Sequence, residues 1–481
     1  MAQKMLQFTH VERAMPDKRA AKKRATDFAE IYDGFSAEAA GDQAARCSQC
    51  GVPFCQQGCP LQNNIPDWLK LAAEGRMKEA WRVSSATNNM PEICGRICPQ
   101  DRLCEGVCTI EQSGHGTVTI GSVEKHITET AWEEGWVKPI KPPRERTQSA
   151  GIIGAGPAGL AAAEQLRRKG YQVTVYDAYD RGGGLLMYGI PGFKLEKHVV
   201  DRRINFLSDS GVTFKFNSRV GENISLQDMR ETHDTVLIAT GVYKAKDLKC
   251  PGVGTKGVYP ALEYLMTSNR KGLGDEVAAF DDGTLNAEGK RVVVIGGGDT
   301  AMDCVRTAVR QGAKSVVCLY RRDRENMPGS QREVLNAEEE GVVFKWLASP
   351  EAILDTKAGK LKAVRAAMMK LGEPDASGRQ APIKTGETVD VKADMVIKAL
   401  GFDPEDLPEL FDEPSLTVNR WGAVRIDFAT METNLSGVYA AGDIVRGASL
   451  VVWAIKDGRD AAEAMHRAMK TEARTKKVAA E

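Results

Sequence analysis

The sequence lacks an apolar stretch of the ~18 residues needed to span a bilayer, and residues 1–10 lack the basic and then apolar pattern of a secretion signal. It also lacks an excess of either charge, because 65 Lys and Arg residues balance 65 Asp and Glu residues. That balance argues against nucleic acid or an anionic membrane as a partner. These absences predict a cytoplasmic protein with neither kind of partner.

At 481 residues the chain is too long for one hydrophobic core, so several domains are expected. Up to about Arg146, helical stretches alternate with Cys, Pro and Gly turns, whereas strands and helices alternate afterwards. A basic stretch at residues 18–24 is predicted to lie on the solvated face of a helix that ends near Tyr32. Residues 138–143 are rich in proline and are predicted to form a linker.

Cysteine is concentrated in one region, because eight of the eleven residues lie between Cys47 and Cys108. In a reducing compartment such a group binds metal more often than it forms disulfides. The spacing reads Cys47-x2-Cys50-x4-Cys55-x3-Cys59-Pro60, then Cys94-x3-Cys98-Pro99 and Cys104-x3-Cys108. Two groups of four indicate two iron–sulfur clusters. In two-cluster ferredoxins the fourth cysteine of such a run, which precedes a proline, binds the other cluster, so crossed ligation is expected. Structural zinc is the alternative, because thiolates also bind zinc.

Two βαβ units follow residue 148, and they begin about 142 positions apart. The predicted strands are residues 150–153 and 172–176 in the first unit, and residues 291–295 and 315–320 in the second. The helix of the first unit is predicted over residues 158–169. The helix of the second unit is predicted to end at Gly312. Further apolar strands that run into glycine are expected at residues 235–241, 394–401 and 437–443. Two such units imply two dinucleotide sites.

The first glycine turn has the pattern G-x-G-x-x-G at Gly154, Gly156 and Gly159. The first glycine makes the tight turn, the second lets a pyrophosphate approach the backbone, and the third lets the helix pack on the strand. Asp177 ends the next strand, where a carboxylate can bind a ribose hydroxyl and repels a 2′-phosphate. This unit is therefore predicted to bind FAD or NAD rather than NADP.

The second glycine turn contains Gly296 and Gly298, and Ala301 replaces its third glycine. Arg321 and Arg322 follow its second strand, at the point where the first unit has a carboxylate. Guanidinium groups suit a 2′-phosphate, so this unit is predicted to bind NADPH. A solvated basic turn is the alternative, since no acidic residue at the strand end excludes NADH.

The two kinds of predicted site require a particular coupling. A nicotinamide gives up two electrons as a hydride, whereas an iron–sulfur cluster accepts one electron at a time. A flavin can exchange electrons in both ways and so must stand between them. This coupling favours FAD in the first unit, NADPH in the second, and iron–sulfur clusters over zinc in the N-terminal region.

The order of these motifs resembles that of one protein family. The cysteine run, the two glycine turns, Gly182-Gly-Gly-Leu-Leu-Met-Tyr-Gly-Ile-Pro191 and Ala440-Ala-Gly-Asp-Ile444 resemble the small subunits of bacterial NADPH-dependent glutamate synthases over essentially the whole length. The same module resembles the N-terminal half of dihydropyrimidine dehydrogenase and the larger subunit of NADH-dependent ferredoxin:NADP oxidoreductases.

The resemblance implies an α/β fold like that of adrenodoxin reductase. Two Rossmann-like domains, with the NADPH domain inserted in the FAD domain, would follow a mostly helical iron–sulfur domain. The implied domains are residues 1–146 for two [4Fe-4S] clusters, residues 147–282 and 428–481 for FAD, and residues 283–427 for NADPH.

The resemblance also implies the cluster ligands. One cluster would take Cys47, Cys50, Cys55 and Cys108. The second would take Cys59, Cys98 and Cys104, and its expected fourth ligand is Glu124, at a position where the family has Gln or Glu. Cys94 is the alternative fourth ligand, because thiolate is the commoner ligand on chemical grounds.

The same resemblance implies the dinucleotide sites. The implied FAD site comprises Gly154, Gly156, Pro157, Ala158, Gly159, Asp177, Gly183, Gly184, Leu185, Gly241, Gly442 and Asp443, the last of these at the ribityl chain. The implied NADPH site comprises Gly296, Gly298, Asp299, Thr300, Ala301, Arg321 and Arg322. Hydride passes directly between the two rings, so no catalytic acid or base is expected.

The implied function is electron input to glutamate synthase in a hetero-oligomer. NADPH would reduce FAD, and the clusters would pass single electrons to a large (alpha) subunit that makes glutamate from glutamine and 2-oxoglutarate. The glutamine-hydrolysing site is expected on that partner, because residues 1–3 lack an N-terminal cysteine nucleophile.

Three rival interpretations stay open from the sequence. One is a ferredoxin-type reductase or transhydrogenase subunit built on the same module. Another is a dithiol reductase, which would need a Cys-x-x-Cys motif that Cys304 and Cys318 do not form. The third is a zinc-stabilised binding module without redox activity.

Overall fold

The computed structural model describes residues 3–480 except Lys357 and Ser377, and it describes residues 472–480 by their backbone alone. The helices of the N-terminal region are α1 (Ala21–Arg24), α2 (Ala37–Ala45), α3 (Phe54–Gln57), α4 (Ile65–Ala73), α5 (Met77–Thr87), α6 (Pro91–Ile97), α7 (Thr109–Gln112) and α8 (Ile120–Glu133). Trp68, Ile93 and Ile127 fill the interior between them. A mostly helical N-terminal domain was predicted, and this is confirmed.

Two α/β units follow. The first contains β1 (Ser149–Ile153), α9 (Pro157–Arg168), β2 (Gln172–Tyr176), α10 (Leu185–Tyr188), α11 (Lys197–Asp209), β3 (Val212–Lys215), α12 (Leu226–Thr232), β4 (Thr235–Ile238) and β5 (Lys244–Ala245). The second contains β6 (Val258–Pro260), α13 (Ala261–Gly272), α14 (Ala278–Asp281), β7 (Arg291–Ile295), α15 (Asp299–Arg310), β8 (Ser315–Leu319), α16 (Gln331–Glu339), β9 (Val343–Lys345), β10 (Ala348–Asp355), β11 (Leu361–Pro374), β12 (Gln380–Lys392), β13 (Met395–Lys398) and β14 (Phe402–Asp403). The chain then returns to the first unit with α17 (Leu407–Leu410), β15 (Val438–Ala440), α18 (Asp443–Arg446) and α19 (Val451–Ala480).

Each unit is built on a parallel sheet of five strands. The first sheet has the order β15-β4-β1-β2-β3, and the second has the order β6-β13-β7-β8-β9. The strands are continuous apolar runs because helices cover parallel sheets on both faces. β10, β11 and β12 form a separate antiparallel sheet in the second unit.

The second unit is inserted between β4 and β15 of the first. The chain leaves the first unit at β5 and returns at β14, and these two short strands pair with each other antiparallel. This connectivity confirms the predicted insertion of one Rossmann-like unit in another. The predicted domain boundaries themselves stay a prediction; β6 precedes residue 283, and Leu407 and Val424 pack with the first sheet although they precede residue 428.

The predicted helix up to Tyr32 is wrong. α1 ends at Arg24, and the chain then follows an irregular path to a single bridge between Tyr32 and Lys18. The solvated face is also wrong for Arg24, whose side chain is 1% exposed and whose Nε lies 2.9 Å from Glu340 Oε1. Local sequence could not show this, because the partner lies 316 residues further along the chain.

The N-terminal region is attached to the first unit by buried polar contacts. Arg203 Nη2 lies 2.7 Å from Glu92 Oε1, and both side chains are buried. Arg459 of α19 donates to Asn89 Oδ1 at 2.7 Å. Across the part of the chain that the structure describes, no helix combines the length and the apolar character needed to cross a bilayer.

Candidate functional site

A large central cavity lies where the N-terminal region and the two α/β units meet. From the first unit its wall includes Gly154, Gly156, Pro157, Ala158, Asp177, Gly184, Leu185, Gly241, Tyr243, Asp443 and Leu450. From the second unit it includes Leu262, Leu265, Asp299, Thr300, Asp303, Ser330, Arg332 and Glu333. The N-terminal region contributes Arg96, Ile97, Cys98 and Pro99.

The first glycine turn has the geometry of a dinucleotide cradle. Gly154 has φ +108°, and a Cβ added there would lie 2.4 Å from the Ala239 carbonyl oxygen. A Cβ at Gly159 would lie 2.0 Å from the Gly154 carbonyl oxygen, so helix α9 packs directly on the turn. A Cβ at Gly156 would meet nothing within 4 Å, which leaves open space on the cavity side. The residues therefore fit a pyrophosphate at the start of α9.

Asp177 lines the cavity and also fixes the glycine turn. Its Oδ2 accepts from the Ala155 N–H at 2.7 Å, and its Oδ1 accepts from the Tyr179 N–H at 2.9 Å. Burial raises the pKa of Asp177, although these two N–H groups lower it. One carboxylate thus holds the turn and faces the place where a ribose would lie.

A second close approach of backbone lies beside the first glycine turn. Gly183 and Gly184 have φ of +114° and +53°, and a Cβ at Gly184 would lie 3.0 Å from the Gly156 Cα. Asp443 follows β15 and lines the cavity, and burial raises its pKa to about 6. Gly184 and Asp443 thus lie in the wall of the same cavity as the first glycine turn.

The second glycine turn repeats the cradle. Gly296 has φ +148°, and a Cβ there would lie 2.2 Å from the Ala399 carbonyl oxygen, whereas a Cβ at Gly298 would meet nothing within 4 Å. Ala301 is fully buried. Arg321 and Arg322 follow β8, which pairs with β7 beside this turn, and the Arg322 Nε is buried without a hydrogen-bond partner among the described residues. That unpartnered donor fits a phosphate oxygen.

Several predicted residues lie behind the cavity wall. Those in the wall are Gly154, Gly156, Pro157, Ala158, Asp177, Gly184, Leu185, Gly241, Asp443, Asp299 and Thr300. Those outside it are Gly159, Gly183, Gly442, Gly296, Gly298, Ala301, Arg321 and Arg322. Gly159 and Ala301 are packing positions between helix and strand, so their place behind the wall follows from their role in the fold.

The four cysteines that the family resemblance implies for the first cluster line one small cavity, the outer cysteine cavity. They are Cys47, Cys50, Cys55 and Cys108, with Phe54, Pro66 and Ile120 among the other wall residues. All eleven cysteines of the chain are free of disulfides. Burial raises the pKa of Cys55 to about 12, and a bound metal would reverse that effect because thiolates are the metal ligands.

The residues that the family resemblance implies for the second cluster line another small cavity, the inner cysteine cavity. Its wall contains Cys59, Cys94, Cys98, Cys104 and Glu124, together with Asn88, Ile120 and Val452. Asn88 contacts both candidate fourth ligands, because its Nδ2 donates to Glu124 Oε1 at 3.2 Å and its Oδ1 accepts from Cys94 Sγ at 3.7 Å. Burial raises the pKa of Glu124 to about 8, and a metal centre would favour its ionised form. The choice between Cys94 and Glu124 stays open.

The donor sets suit multi-iron clusters better than single metal ions. Among the described residues, no three His, Cys, Asp or Glu side chains lie close enough together to hold one ion. A tetrahedral zinc site needs such convergence, with sulfur ~2.3 Å from the metal. Two cavities that carry four cysteines in one case, and four cysteines and a glutamate in the other, fit iron–sulfur clusters.

The three cavities lie in a row. Cys98 lines both the central cavity and the inner cysteine cavity, and Ile120 lines both the inner and the outer cysteine cavities. Neighbouring cavities are thus separated by the thickness of one side chain. This arrangement could not be predicted from the cysteine spacing alone.

The sequence analysis did not predict a charged pair in the wall of the central cavity, where the two units meet. Lys194 Nζ, from the first unit, lies 2.9 Å from Asp303 Oδ1 and 4.0 Å from Glu333 Oε2, both from the second unit. Burial alone would lower the pKa of Lys194, but the surrounding carboxylates raise it above its usual value. The available signal was the spacing of Asp299 and Asp303, four residues apart on one face of α15.

The comparisons with known proteins agree with this geometry. Residues 24–136 match a family model described as dihydropyrimidine dehydrogenase domain II, 4Fe-4S cluster, and residues 149–458 match pyridine nucleotide-disulphide oxidoreductase. The chain is 65% identical to the glutamate synthase [NADPH] small chain of Azospirillum brasilense, over 98% of both chains. The chain belongs to the glutamate synthase small-chain family.

Other relatives agree with this family. The small chain from Escherichia coli K12 is 45% identical over 96% of this chain and 98% of its own length. The structure of Mycobacterium tuberculosis FprA in complex with NADPH has a TM-score of 0.58 at 20% identity, over 69% of this chain and 86% of that one, and it supports the fold. The family, the fold and the class of NADPH-dependent oxidoreductase were predicted, and all three are confirmed.

Proposed function

We propose that this chain is the electron-input subunit of a glutamate synthase. It accepts a hydride from NADPH in the central cavity and delivers single electrons, through two [4Fe-4S] clusters, to a large subunit that forms glutamate from glutamine and 2-oxoglutarate. The single observation that carries the proposal is the row of three cavities, with Cys98 shared by the first two. A bound flavin would supply the conversion between hydride and single electrons.

In this proposal the first unit holds FAD. Gly156 leaves the backbone open to the pyrophosphate, and the start of α9 provides N–H groups for it. Asp177 accepts a hydrogen bond from the ribose, and Asp443 contacts the ribityl chain. The remaining proposed contacts are Gly154, Pro157, Ala158, Gly159, Gly183, Gly184, Leu185, Gly241 and Gly442.

The second unit holds NADPH. Gly298 and the start of α15, with Asp299 and Thr300 in the cavity wall, form the pyrophosphate site beside Gly296 and Ala301. Arg321 and Arg322 bind the 2′-phosphate, and the unpartnered Arg322 Nε supports this role. The pair of Lys194 and Asp303 orients the two units where they meet in the cavity.

The cluster in the inner cysteine cavity is the first acceptor, because its wall shares Cys98 with the central cavity. Its ligands are Cys59, Cys98, Cys104 and either Glu124 or Cys94. The cluster in the outer cysteine cavity, held by Cys47, Cys50, Cys55 and Cys108, is the second. The outer cavity is therefore the point from which electrons leave for the large subunit.

The expected setting of the protein follows from the same features. Eleven free thiols suit a reducing compartment, which supports a cytoplasmic location. The complex is a hetero-oligomer with the large subunit. The packing favours moving the domain boundaries to the two crossings near β5 and β14, where the chain passes between the units.

An anaerobic titration followed by the flavin absorbance tests the proposal. NADPH should bleach the flavin and then the cluster absorption, and addition of the large subunit with glutamine and 2-oxoglutarate should restore both. A ferredoxin-type reductase or transhydrogenase would be restored by its own acceptor instead. A colourless protein, or one that contains zinc without iron, would overturn the proposal.

Substitution of the cluster ligands identifies the fourth donor of the inner site. Cys98→Ser should remove one cluster, which halves the iron content, and should leave NADPH reduction of the flavin intact while it stops electron delivery. Glu124→Ala should give the same result, and Cys94→Ser should behave as the unchanged chain. If Cys94→Ser loses the iron and Glu124→Ala keeps it, the fourth ligand is Cys94.

A further inference from the structure

Residues 17–33 form a closed loop, here called the N-terminal strap. Its ends are joined by the Asp33 N–H, which donates to the Asp17 carbonyl at 2.9 Å, and by the Arg19 N–H, which donates to the Ile31 carbonyl at 3.0 Å. The Ile31 N–H in turn donates to the Phe193 carbonyl of the first unit at 3.3 Å. The strap thus belongs to the N-terminal region and is anchored on the first unit.

The strap also contacts helix α16 of the second unit. Lys18 Nζ donates to Glu339 Oε1 at 2.8 Å, and the Tyr32 hydroxyl donates to Asn336 Oδ1 at 3.4 Å. Arg24 donates to both Glu339 and Glu340. One loop of the chain therefore holds both α/β units.

Arg24 enters a buried network of charges. The Glu340 carboxylate accepts from Arg24 Nε at 2.9 Å, from Arg306 Nη2 at 2.8 Å and from Arg310 Nη1 at 2.7 Å. The Glu340, Arg306 and Arg310 side chains are 0% exposed, and that of Arg24 is 1% exposed. Removal of one member of such a network leaves a buried charge under-compensated, so its geometry is held strongly.

The network reaches the wall of the central cavity by two routes. Arg306 pairs with Glu333, which lines the cavity beside Lys194. The guanidinium carbons of Arg306 and Arg310 lie 4.4 and 3.9 Å from the centroid of the Phe193 ring, and Phe193 directly precedes Lys194 in the chain. Arg24 is therefore connected to the cavity although it contacts no part of the cavity itself.

Besides the strap, the buried pair of Lys194 and Asp303 joins the two units, and the more exposed ion pairs between them are weaker. Arg181 with Asp275 and Arg270 with Asp180 are partly exposed, and such pairs contribute little to stability. The covalent connections are the two crossings at β5 and β14, and two short crossings of this kind can act as a hinge. One buried ion pair fixes the units at a single point, so a second buried contact, a clamp, is needed to keep one orientation.

We propose that the N-terminal strap is this clamp and that Arg24 is a positioning residue for hydride transfer. It holds the second unit, through Glu340 and Arg306, in the orientation that brings the nicotinamide to the flavin. The inference rests on the proposed function, because it concerns the same hydride transfer. It adds a role for the N-terminal region besides binding clusters.

The test compares Arg24→Met with the control Lys23→Met, which removes an exposed charge from the same short helix. Single-turnover flavin reduction by NADPH, measured anaerobically by stopped flow, should slow by at least ~10-fold in Arg24→Met, because small misplacements of reacting groups cost large rate factors. The dissociation constant for NADPH should stay within about twofold, because its site lies on the second unit. Arg24→Lys should recover part of the rate, and Lys23→Met should retain all of it.

A second readout separates positioning from loss of structure. Hydrogen exchange should rise in residues 17–33 and in α16 of Arg24→Met, and it should stay unchanged in β1 and β2. If Arg24→Met does not fold, the double variant Tyr32→Phe and Glu339→Gln should slow the flavin reduction about twofold to threefold, since it loosens the strap at its exposed end.

Three outcomes would contradict one of the two proposals, and they are distinguishable from each other. Flavin reduction in Arg24→Met at the rate of the unchanged chain would overturn the clamp and leave the proposed function intact. A rise in the dissociation constant for NADPH that matches the fall in the rate of flavin reduction would also overturn it, because that result indicates a defect in the second unit itself. Failure of NADPH to reduce the unchanged chain would overturn the proposed function instead.

Discussion

The first and second units carry the same glycine turn at the same point of the same βαβ pattern, but they crowd it differently. In the first unit a Cβ at Gly159 would lie 2.0 Å from the Gly154 carbonyl oxygen, whereas the second unit has a buried alanine, Ala301, at the matching position. The helix therefore approaches its strand more closely in the first unit than in the second. The third position of the motif reports helix packing more than it reports the ligand.

The units also differ in charge at the end of the second strand. Asp177 is buried and accepts two backbone N–H groups of its own unit, while Arg322 has a buried Nε without a hydrogen-bond partner among the described residues. The carboxylate is thus satisfied by its own unit, whereas one donor of the guanidinium is not. This difference is the basis of the proposal that the two units bind different dinucleotides.

The largest effect is expected from a substitution that removes the difference in helix packing between the two glycine turns. Gly159→Ala should weaken FAD binding by ~100-fold, because overpacking against backbone costs up to ~3 kcal/mol. Ala301→Gly should leave NADPH affinity within about twofold. The ratio of flavin to protein absorbance measures the first effect, and circular dichroism checks the fold. Full flavin content in Gly159→Ala would contradict the packing argument.

A smaller effect is expected from the charge difference. Arg322→Gln should raise the KM for NADPH by ~10-fold and leave that for NADH nearly unchanged, since a charged hydrogen bond contributes about 1.5 kcal/mol or more. Steady-state reduction of an artificial acceptor measures both. Arg324→Gln is the matched control, because Arg324 is paired with Glu338 at 3.0 Å. Equal changes in the KM for NADPH and the KM for NADH would contradict the proposed contact between Arg322 and the 2′-phosphate.

The smallest effect is expected at Asp177. Asp177→Asn keeps an oxygen that can accept from the Ala155 N–H and loses the charge toward the ribose, so FAD should bind only ~3-fold more weakly, from a difference of about 0.5–1 kcal/mol. Flavin release at increasing dilution measures this, with Asp209→Asn on the surface of α11 as the control. Complete loss of flavin would indicate that Asp177 mainly holds the turn.

The sheet strands were the most predictable part of the fold. The predicted strands at residues 172–176 and 291–295 coincide with β2 and β7, because a buried parallel strand is a continuous apolar run that glycine turns interrupt. The antiparallel sheet of β10, β11 and β12 was not predicted. Gly359 and Gly378 lie in the turns between its strands, but β12 is largely exposed and lacks the long apolar run of a buried strand.

The candidate site was predictable where its chemistry is local in sequence. The two cysteine groups line two separate cavities in the grouping that the family resemblance implied, and most of the first turn lies in the central wall. The contacts that were missed all join distant segments, as Lys194 with Asp303 and Arg24 with Glu340 do. Spacing in one segment can mark a charged helix face, as Asp299 and Asp303 do on α15, but it does not identify a partner more than a hundred residues away.

Val452, the second residue of helix α19, lines the inner cysteine cavity together with Cys59, Cys98 and Cys104. These cysteines emerge from the ribosome several hundred residues before that helix does. Until translation has passed residue 452, the wall of the cavity is incomplete. Closure of the inner cysteine cavity is therefore a late event in the synthesis of the chain, because it waits for the start of helix α19.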